Sequence, residues 1–280
     1  MLGILVSANA SDTFEMVLIP GGTNSGTNPL GTGESYSETY PETYSLTVDS
    51  FYMHSKEVTQ EQFEEVYSWG ITNGYNFTGS QLGRAGASDH PVGAIYWADA
   101  VRWCNARSQM DGLDYCYSNW ICDPTKNGYR LPTTEEWKYA ARGGLISKRF
   151  PLGDTIDFSI ANYYGNLTAT VSYDLSNILA THPTYHVNPP PYTSPVGSFA
   201  PNGYGLYDMA GNVQEWCNDV KPDDPTRHGL LGGTWINHSP YMRCGFYGWA
   251  TENVSTTLPS RGFRFVTSEW HFAGTVLYIR

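Results

Sequence analysis

The stretch Asn202-Gly-Tyr-Gly-Leu-Tyr-Asp-Met-Ala-Gly-Asn-Val-Gln-Glu-Trp216 constrains this chain most, because it gathers glycines, aromatics and carboxylates without the period of a helix. Gly203, Gly205 and Gly211 permit backbone conformations closed to other residues, while Leu206, Met209, Val213 and Trp216 supply apolar anchors. The stretch therefore reads as an irregular loop held against a core and able to aim carbonyls inward. Asp208 and Glu215 add hard carboxylate oxygens. Side-chain and main-chain oxygens together are the donor set that calcium takes at roughly 2.3–2.6 Å. The same residues also suit a capped turn whose acids face water, and spacing alone does not choose between the two.

With 280 residues, 40% of them hydrophobic, the chain can bury a sizeable core. No charge run or low-complexity tract divides it, so residues 11–280 read as a single domain. The 29 Gly, 17 Pro and 21 Tyr, against 15% charged residues, describe a loop-rich fold stabilised by aromatics. A formal net charge of −11 argues against nucleic acid and anionic membranes as partners, since phosphate binding needs clustered Lys and Arg. Residues 1–10 are apolar and end in Ala8-Asn9-Ala10, which reads as the tail of a truncated signal peptide and so as export. No later stretch approaches the roughly 20 apolar residues of a transmembrane helix. The cysteines show neither zinc-type pairing nor a Cys-x-x-Cys motif; in an exported protein Cys104 and Cys116 form a plausible local bridge, and in a reducing compartment they are small core residues.

In chain order, Phe14–Gly22 and Tyr44–Met53 read as strands. Thr59 caps a helix over Gln60–Trp69 with Gln62 completing a capping box, and a second helix runs from Ala98 to Gln109 with Ala98, Val101, Trp103 and Cys104 on its buried side. A third, capped by Thr133 or Thr134, is stopped by Gly143-Gly144, and Arg130 is placed to pair with Glu136 or Glu135. From Phe150 to Ser198 the pattern is almost entirely loop, which in a domain this size is normally functional or held by a metal. Leu230–Trp235 and Arg261–Val266 read as a pair of core strands. The tail beyond Thr267, with Trp270 and Phe272, reads as an added edge strand.

From about Phe14 to Val266 these segments resemble the formylglycine-generating-enzyme family, the sulfatase-modifying-factor domains. The resemblance rests on Ile19-Pro-Gly-Gly22, Glu57-Val-Thr59, His90-Pro-Val92, Gly128-Tyr-Arg-Leu-Pro-Thr133 with Glu136-Trp137, Gly203 to Trp216, Gly232-Gly-Thr-Trp235 and Gly262-Phe-Arg264, all in order. It implies an α+β, elaborated C-type-lectin-like fold, loop-rich, with short antiparallel strands and a few helices. It also implies one calcium site on the side chains of Asp208 and Glu215 with the carbonyls of Gly211 and Val213. A second falls on Asn162, the Tyr163 carbonyl, Asp174 and the carbonyl near Ser176, giving one or two ions.

Family enzymes oxidise a sulfatase cysteine with copper held by two cysteines separated by four residues, and ungapped matching puts Asn237 and Met242 at those positions. Copper(I) wants soft ligands, and Cys244 is the one thiol nearby. The chain thus resembles non-catalytic members, and copper is not expected. The first reading is an exported, calcium-stabilised, monomeric binding protein that displays residues 236–260 to a protein or carbohydrate ligand through His238, Tyr241, Phe246, Tyr247, Trp249, Asn253 and Thr256. Variable proteins of diversity-generating retroelements share this fold and diversify the region before a terminal Gly-Phe-Arg. The other readings are an oxidoreductase of altered metal chemistry, drawing on Met242, His238 and Cys244, and a structural module of a cell envelope.

Overall fold

The computed structural model describes residues 14–77, 87–167, 169–186, 192–251 and 260–269. Residues 1–10, Asn253, Thr256 and the tail from Trp270 lie outside them, and so do the readings made for those positions.

Strand β1 (Met16–Ile19) leads into a hairpin of β2 (Gly22–Thr27) and β3 (Thr43–Val48), and β4 (Phe51–His54) returns to pair antiparallel with β1. The single strand expected over Tyr44–Met53 is thus two strands in different sheets, broken at Asp49-Ser50. Helix α1 (Gln60–Thr72) starts at the predicted capping box, with the Thr59 hydroxyl accepting from Gln62 N and the Gln62 side chain returning to Thr59 N. It buries Phe63 and Val66 against α2 (Trp97–Met110), which carries Trp103 and Cys104 into the same core.

Hairpin β5 (Tyr117–Ser118) and β6 (Ile121–Cys122) precedes α3 (Thr134–Ala141). Thr133, not Thr134, caps α3, in a capping box with Glu136. Glu136 also takes the Arg130 guanidinium on both oxygens at 2.7 Å, largely out of solvent, which fixes the loop before the helix. Cys104 and Cys116 are not bridged: both are buried free thiols of the first core cluster, and Cys116 Sγ lies toward the Lys126 carbonyl.

The second large sheet is ordered β10-β7-β8-β9, from β7 (Gln214–Lys221), β8 (Asp224–Leu231), β9 (Gly248–Thr251) and β10 (Arg261–Gly262). Of the two C-terminal segments expected as core strands, the first is strand only at its start and the second is divided between the two sheets. β8 ends at Leu231; β10 runs parallel to β7, and β11 (Val266–Thr267) crosses to pair with β4 in the first sheet. The chain from Arg261 to Thr267 therefore stitches the two sheets, and between them Phe263, Arg264 and Phe265 are fully buried. Gly262 is required there because a Cβ would fall 2.6 Å from the Val92 carbonyl oxygen. Among the described residues no helix is long and apolar enough to cross a membrane.

Candidate functional site

The opening stretch divides in two. Residues 202–213 are irregular as expected, with Asp208, Gly211 and Asn212 at φ of 55°, 85° and 61°; Gln214 begins β7, so Glu215 sits on a strand. Gly211 touches backbone directly, since a Cβ would fall 2.2 Å from the Asn162 carbonyl oxygen. This close approach joins the loop to the 160s segment, and Asn212 N donates to that same carbonyl at 2.8 Å.

The loop and strand deliver their acids to a buried hub. Arg264 Nε and Nη2 reach the two Glu215 oxygens at 2.7 Å each, while its remaining donors serve the carbonyls of His54, Ser55 and Tyr207. Trp137 Nε1 donates to Glu215 as well, at 2.7 Å. Beside this pair, Glu57 accepts from Asn212 Nδ2 at 2.6 Å and from Val213 N at 3.1 Å. Asp208 Oδ2 accepts from Gly197 N at 2.6 Å, but its Oδ1 is buried with no partner. Glu57, Asp208 and Glu215 thus surround one guanidinium. Burial, then the neighbouring carboxylates, push Glu57 well above the usual carboxylate range, and burial raises Asp208 to about 6.

The second predicted set is split between two networks. Asp174 accepts from Tyr163 Oη at 2.6 Å, Ser176 Oγ at 2.7 Å, Ser176 N and Asn166 N. Asn162 instead donates Nδ2 to the Tyr192 carbonyl at 2.8 Å, and its Oδ1 is buried without a partner. Each predicted set therefore contains one buried side-chain oxygen that no group among the described residues satisfies. Among the described residues no group of three or more His, Cys, Asp and Glu is arranged to hold a metal ion by such side chains alone.

Where the family would place its cysteines, Asn237 and Met242 are built into the fold. Asn237 Oδ1 accepts from Thr234 Oγ1 at 2.9 Å, and the Asn237 carbonyl accepts from Tyr164 N at 2.9 Å. Met242 is fully buried with Phe150, Tyr163 and Tyr173, its thioether filling the space left by Gly233. Cys244 belongs to a different cluster, with Sγ 3.6 Å from the Ala141 carbonyl, and burial pushes its thiol up to about 12. His238 is exposed and packs edge-on against Tyr164. The three soft or borderline donors of the altered-metal reading are thereby held in separate surroundings.

Four of the predicted recognition residues meet in two ring pairs. Tyr241 packs edge-on with Phe246, Tyr247 with Trp249, and Lys138 Nζ lies 3.6 Å from the Tyr247 ring centre. Of these, Tyr241 is exposed and Phe246, Tyr247 and Trp249 are half-buried. Next to His238 opens a pocket of about 630 Å³, with Tyr164, Ile178, Tyr192 and Ile236 among its walls and Trp235 at its base.

A model of the sulfatase-modifying factor enzyme 1-like domain matches residues 4–269. The chain belongs to this family. It is 30% identical over 287 residues to the chaperone protein LppX of Paenibacillus barcinonensis, covering 94% of this chain and 92% of that protein. It is 32% identical over 188 residues to the formylglycine-generating enzyme of Thermomonospora curvata, covering 60% of this chain and 51% of the enzyme. In three dimensions it superposes on Treponema denticola variable protein 1 with a TM-score of 0.67 at 23% identity, covering 91% of this chain and 95% of that one, a likeness of fold.

Against the family pattern, two groups were not singled out from sequence. Glu57 and Arg264 lie within the quoted motifs Glu57-Val-Thr59 and Gly262-Phe-Arg264, so their positions carried a signal, but their meeting with Glu215 needs the stitch between sheets. The pocket walls Tyr164, Ile178 and Tyr192 come from the long loop, which has no period to read.

Proposed function

We propose that this family member is a calcium-stabilised binding domain that does not carry out copper-dependent cysteine oxidation. What carries the reading is the fate of the cysteine positions: Met242 is a core side chain, Asn237 is a loop clasp, and Cys244 is a buried thiol on another cluster. Copper(I) bound by a thiolate pair needs two sulfurs within reach of one ion. These residues do not fit that ion, and the recruitment of Met242, His238 and Cys244 together would require dismantling two packed clusters. The relative that spans nearly the whole chain is named a chaperone protein, which accords with a binding function in the family.

Calcium fits better. Asp208 Oδ1 and Asn162 Oδ1 are hard oxygen donors buried without partners, one in each implied set. Glu57, Asp208 and Glu215 outnumber their guanidinium, so a divalent ion is the natural compensation. Asp208 and Glu215 would hold the first ion with the Gly211 and Val213 carbonyls, and Asn162 and Asp174 the second with those of Tyr163 and Ser176. The ions would supply charge balance to the loops and no redox chemistry.

Elemental analysis of protein purified with and without chelator, with a copper(I) titration, tests both parts. Calcium at one or two equivalents with no tight copper uptake is expected. Stoichiometric copper would overturn the non-catalytic reading. Export, suggested by Ala8-Asn9-Ala10, is checked by N-terminal sequencing of the mature protein.

A further inference from the structure

Of the five lysines, four hold a carboxylate: Lys56 with Glu15 at 3.4 Å, Lys126 with Asp114 at 3.8 Å, and Lys148 with Asp154 and Lys221 with Asp223 at 2.6 Å each. Lys138 is the exception. Among the described residues no hydrogen-bond or ion-pair partner meets its amine, which stands 3.6 Å from the ring centre of Tyr247. The side chain is half-buried, yet the unpartnered Nζ still reaches solvent.

The surroundings of this amine come from α3, the sheet below it and the segment entering β9. Thr134 and Lys138 are four residues apart on α3, so their side chains share one face of the helix. Thr134 Cγ2, Cys217 Cβ and the Trp249 ring converge over Gly229, where a Cβ would fall 2.6 Å from Thr134. Tyr247 packs edge-on against Trp249, and both rings are partly exposed. The titratable and charged groups around the amine are Glu135 and Arg142 on α3, Cys217 and Asp219 on β7, and Tyr247. Asp219 is engaged as a cap, accepting from Thr134 N. Burial outweighs these neighbours and brings the Lys138 amine down to about 8. A fraction of it is then neutral and nucleophilic near neutral pH, where an ordinary lysine is almost wholly protonated.

We propose that Lys138 is a covalent binding site for an aryl aldehyde, held as an imine with its ring beside Tyr247 and Trp249. An uncharged electrophile reaches this amine without breaking an ion pair, and the two partly exposed rings give an aromatic ligand a surface to pack on. The Nζ lone pair attacks the carbonyl carbon and a C–N bond forms. The two protons of the nitrogen then leave on the former carbonyl oxygen as water, giving C=N with nothing oxidised or reduced. The site lies outside the calcium and copper assignments and stands or falls without them.

The test is to incubate the full chain at pH 7 with benzaldehyde and sodium cyanoborohydride, which reduces the imine to a stable benzylamine, and to read the labelled positions by peptide mass mapping. Lys138 is expected to take the benzyl group at least about tenfold faster than any other lysine. Propanal, an aldehyde without a ring, is run in parallel, with the 45% exposed Lys148 as the reference amine. The ratio of Lys138 to Lys148 labelling should fall severalfold from benzaldehyde to propanal, and the benzaldehyde ratio should fall likewise in Tyr247→Leu. Labelling spread evenly over the lysines, or Lys138 left unlabelled, would overturn the site. An equal ratio with propanal would overturn its preference for an aryl aldehyde. These readings are made on wild-type protein, so they hold even if Tyr247→Leu does not fold.

Discussion

The hub around Arg264 and the segment that follows β8 both sit at sequence positions characteristic of the family, yet they are built by opposite rules. In the hub, Glu57, Glu215 and Arg264 are fully buried, and Arg264 satisfies two carboxylate oxygens and three carbonyls at once. In the segment, aromatic side chains pair locally, Tyr241 is 41% exposed, and Asn237 and Met242 stand where the family's chemistry would be. A buried ionic network tolerates almost no change, because losing one partner strands the rest in a low dielectric. An exposed aromatic turn tolerates a great deal. The family fold is held together where the first rule applies, and the segment proposed above for recognition lies where the second does.

The sharpest way to break this contrast is Arg264→Met. It leaves the buried Glu215 carboxylate without its guanidinium partner and should cost about 3–5 kcal/mol, enough to prevent folding of a marginal domain. Arg264→Lys should fail nearly as badly, since an ammonium cannot serve both Glu215 oxygens and three carbonyls. Urea denaturation measures both. A variant of Arg264 as stable as the wild type would show that the hub is not the keystone of the two sheets.

Next in size is calcium. Free ion at a hundred times its dissociation constant adds about 2.7 kcal/mol, or roughly 5–10 °C in Tm for a chain of this length. Chelation should lower Tm by that order and calcium should restore it. Asp208→Asn keeps a side-chain oxygen for the Gly197 N–H but removes charge from the first set, so it should shrink the calcium response. A Tm indifferent to chelation in the wild type would remove calcium from the account and leave the unpaired Asp208 and Asn162 oxygens without a ligand.

How much of this contrast was legible depended on how local it is. The capping boxes at Thr59 and Thr133 are written in adjacent residues, and α1 and α3 begin where those residues place them. The strands were harder: β10 and β11 are two residues each, too short to show a period, and their partners are set by where the chain lies in space. Trp235 closes the segment read from sequence as a core strand, and its side chain is buried. That it also floors a pocket depends on Tyr164, Ile178 and Tyr192 from a loop whose path is fixed by tertiary bonds such as Tyr164 N to Asn237 O.

A smaller effect sharpens the same comparison on the acid side. Burial lowers His54 to about 3 and His228 to about 4, so the folded protein keeps both rings neutral over a range where an unfolded chain, with imidazoles near 6.5, binds protons. Stability is then fully present above about pH 6.5 and is lost as pH falls toward those folded values. His228 lies flat on Trp97, with ring centres 3.8 Å apart, and its Nδ1 has no partner, so His228→Phe keeps the stack and removes the proton sink. Its Tm relative to wild type should be higher at pH 5 than at pH 8. Parallel curves would mean that His228 is not what acid attacks.

The smallest effect belongs to the aromatic segment, and its smallness is the point. Tyr241→Ala removes one exposed ring from an edge contact with Phe246, and Trp249→Ala removes a half-buried one from Tyr247. Aromatic pairs of this kind contribute about 0.5–1.5 kcal/mol beyond burial, and exposure discounts that for Tyr241. Thermal melts should therefore place Tyr241→Ala within about 1 kcal/mol of wild type, with Trp249→Ala somewhat lower. If instead Tyr241→Ala were as damaging as a hub variant, the segment would be part of the framework. A surface free to change its side chains without loss of fold is what a recognition role requires, and that freedom is what the melts would then deny.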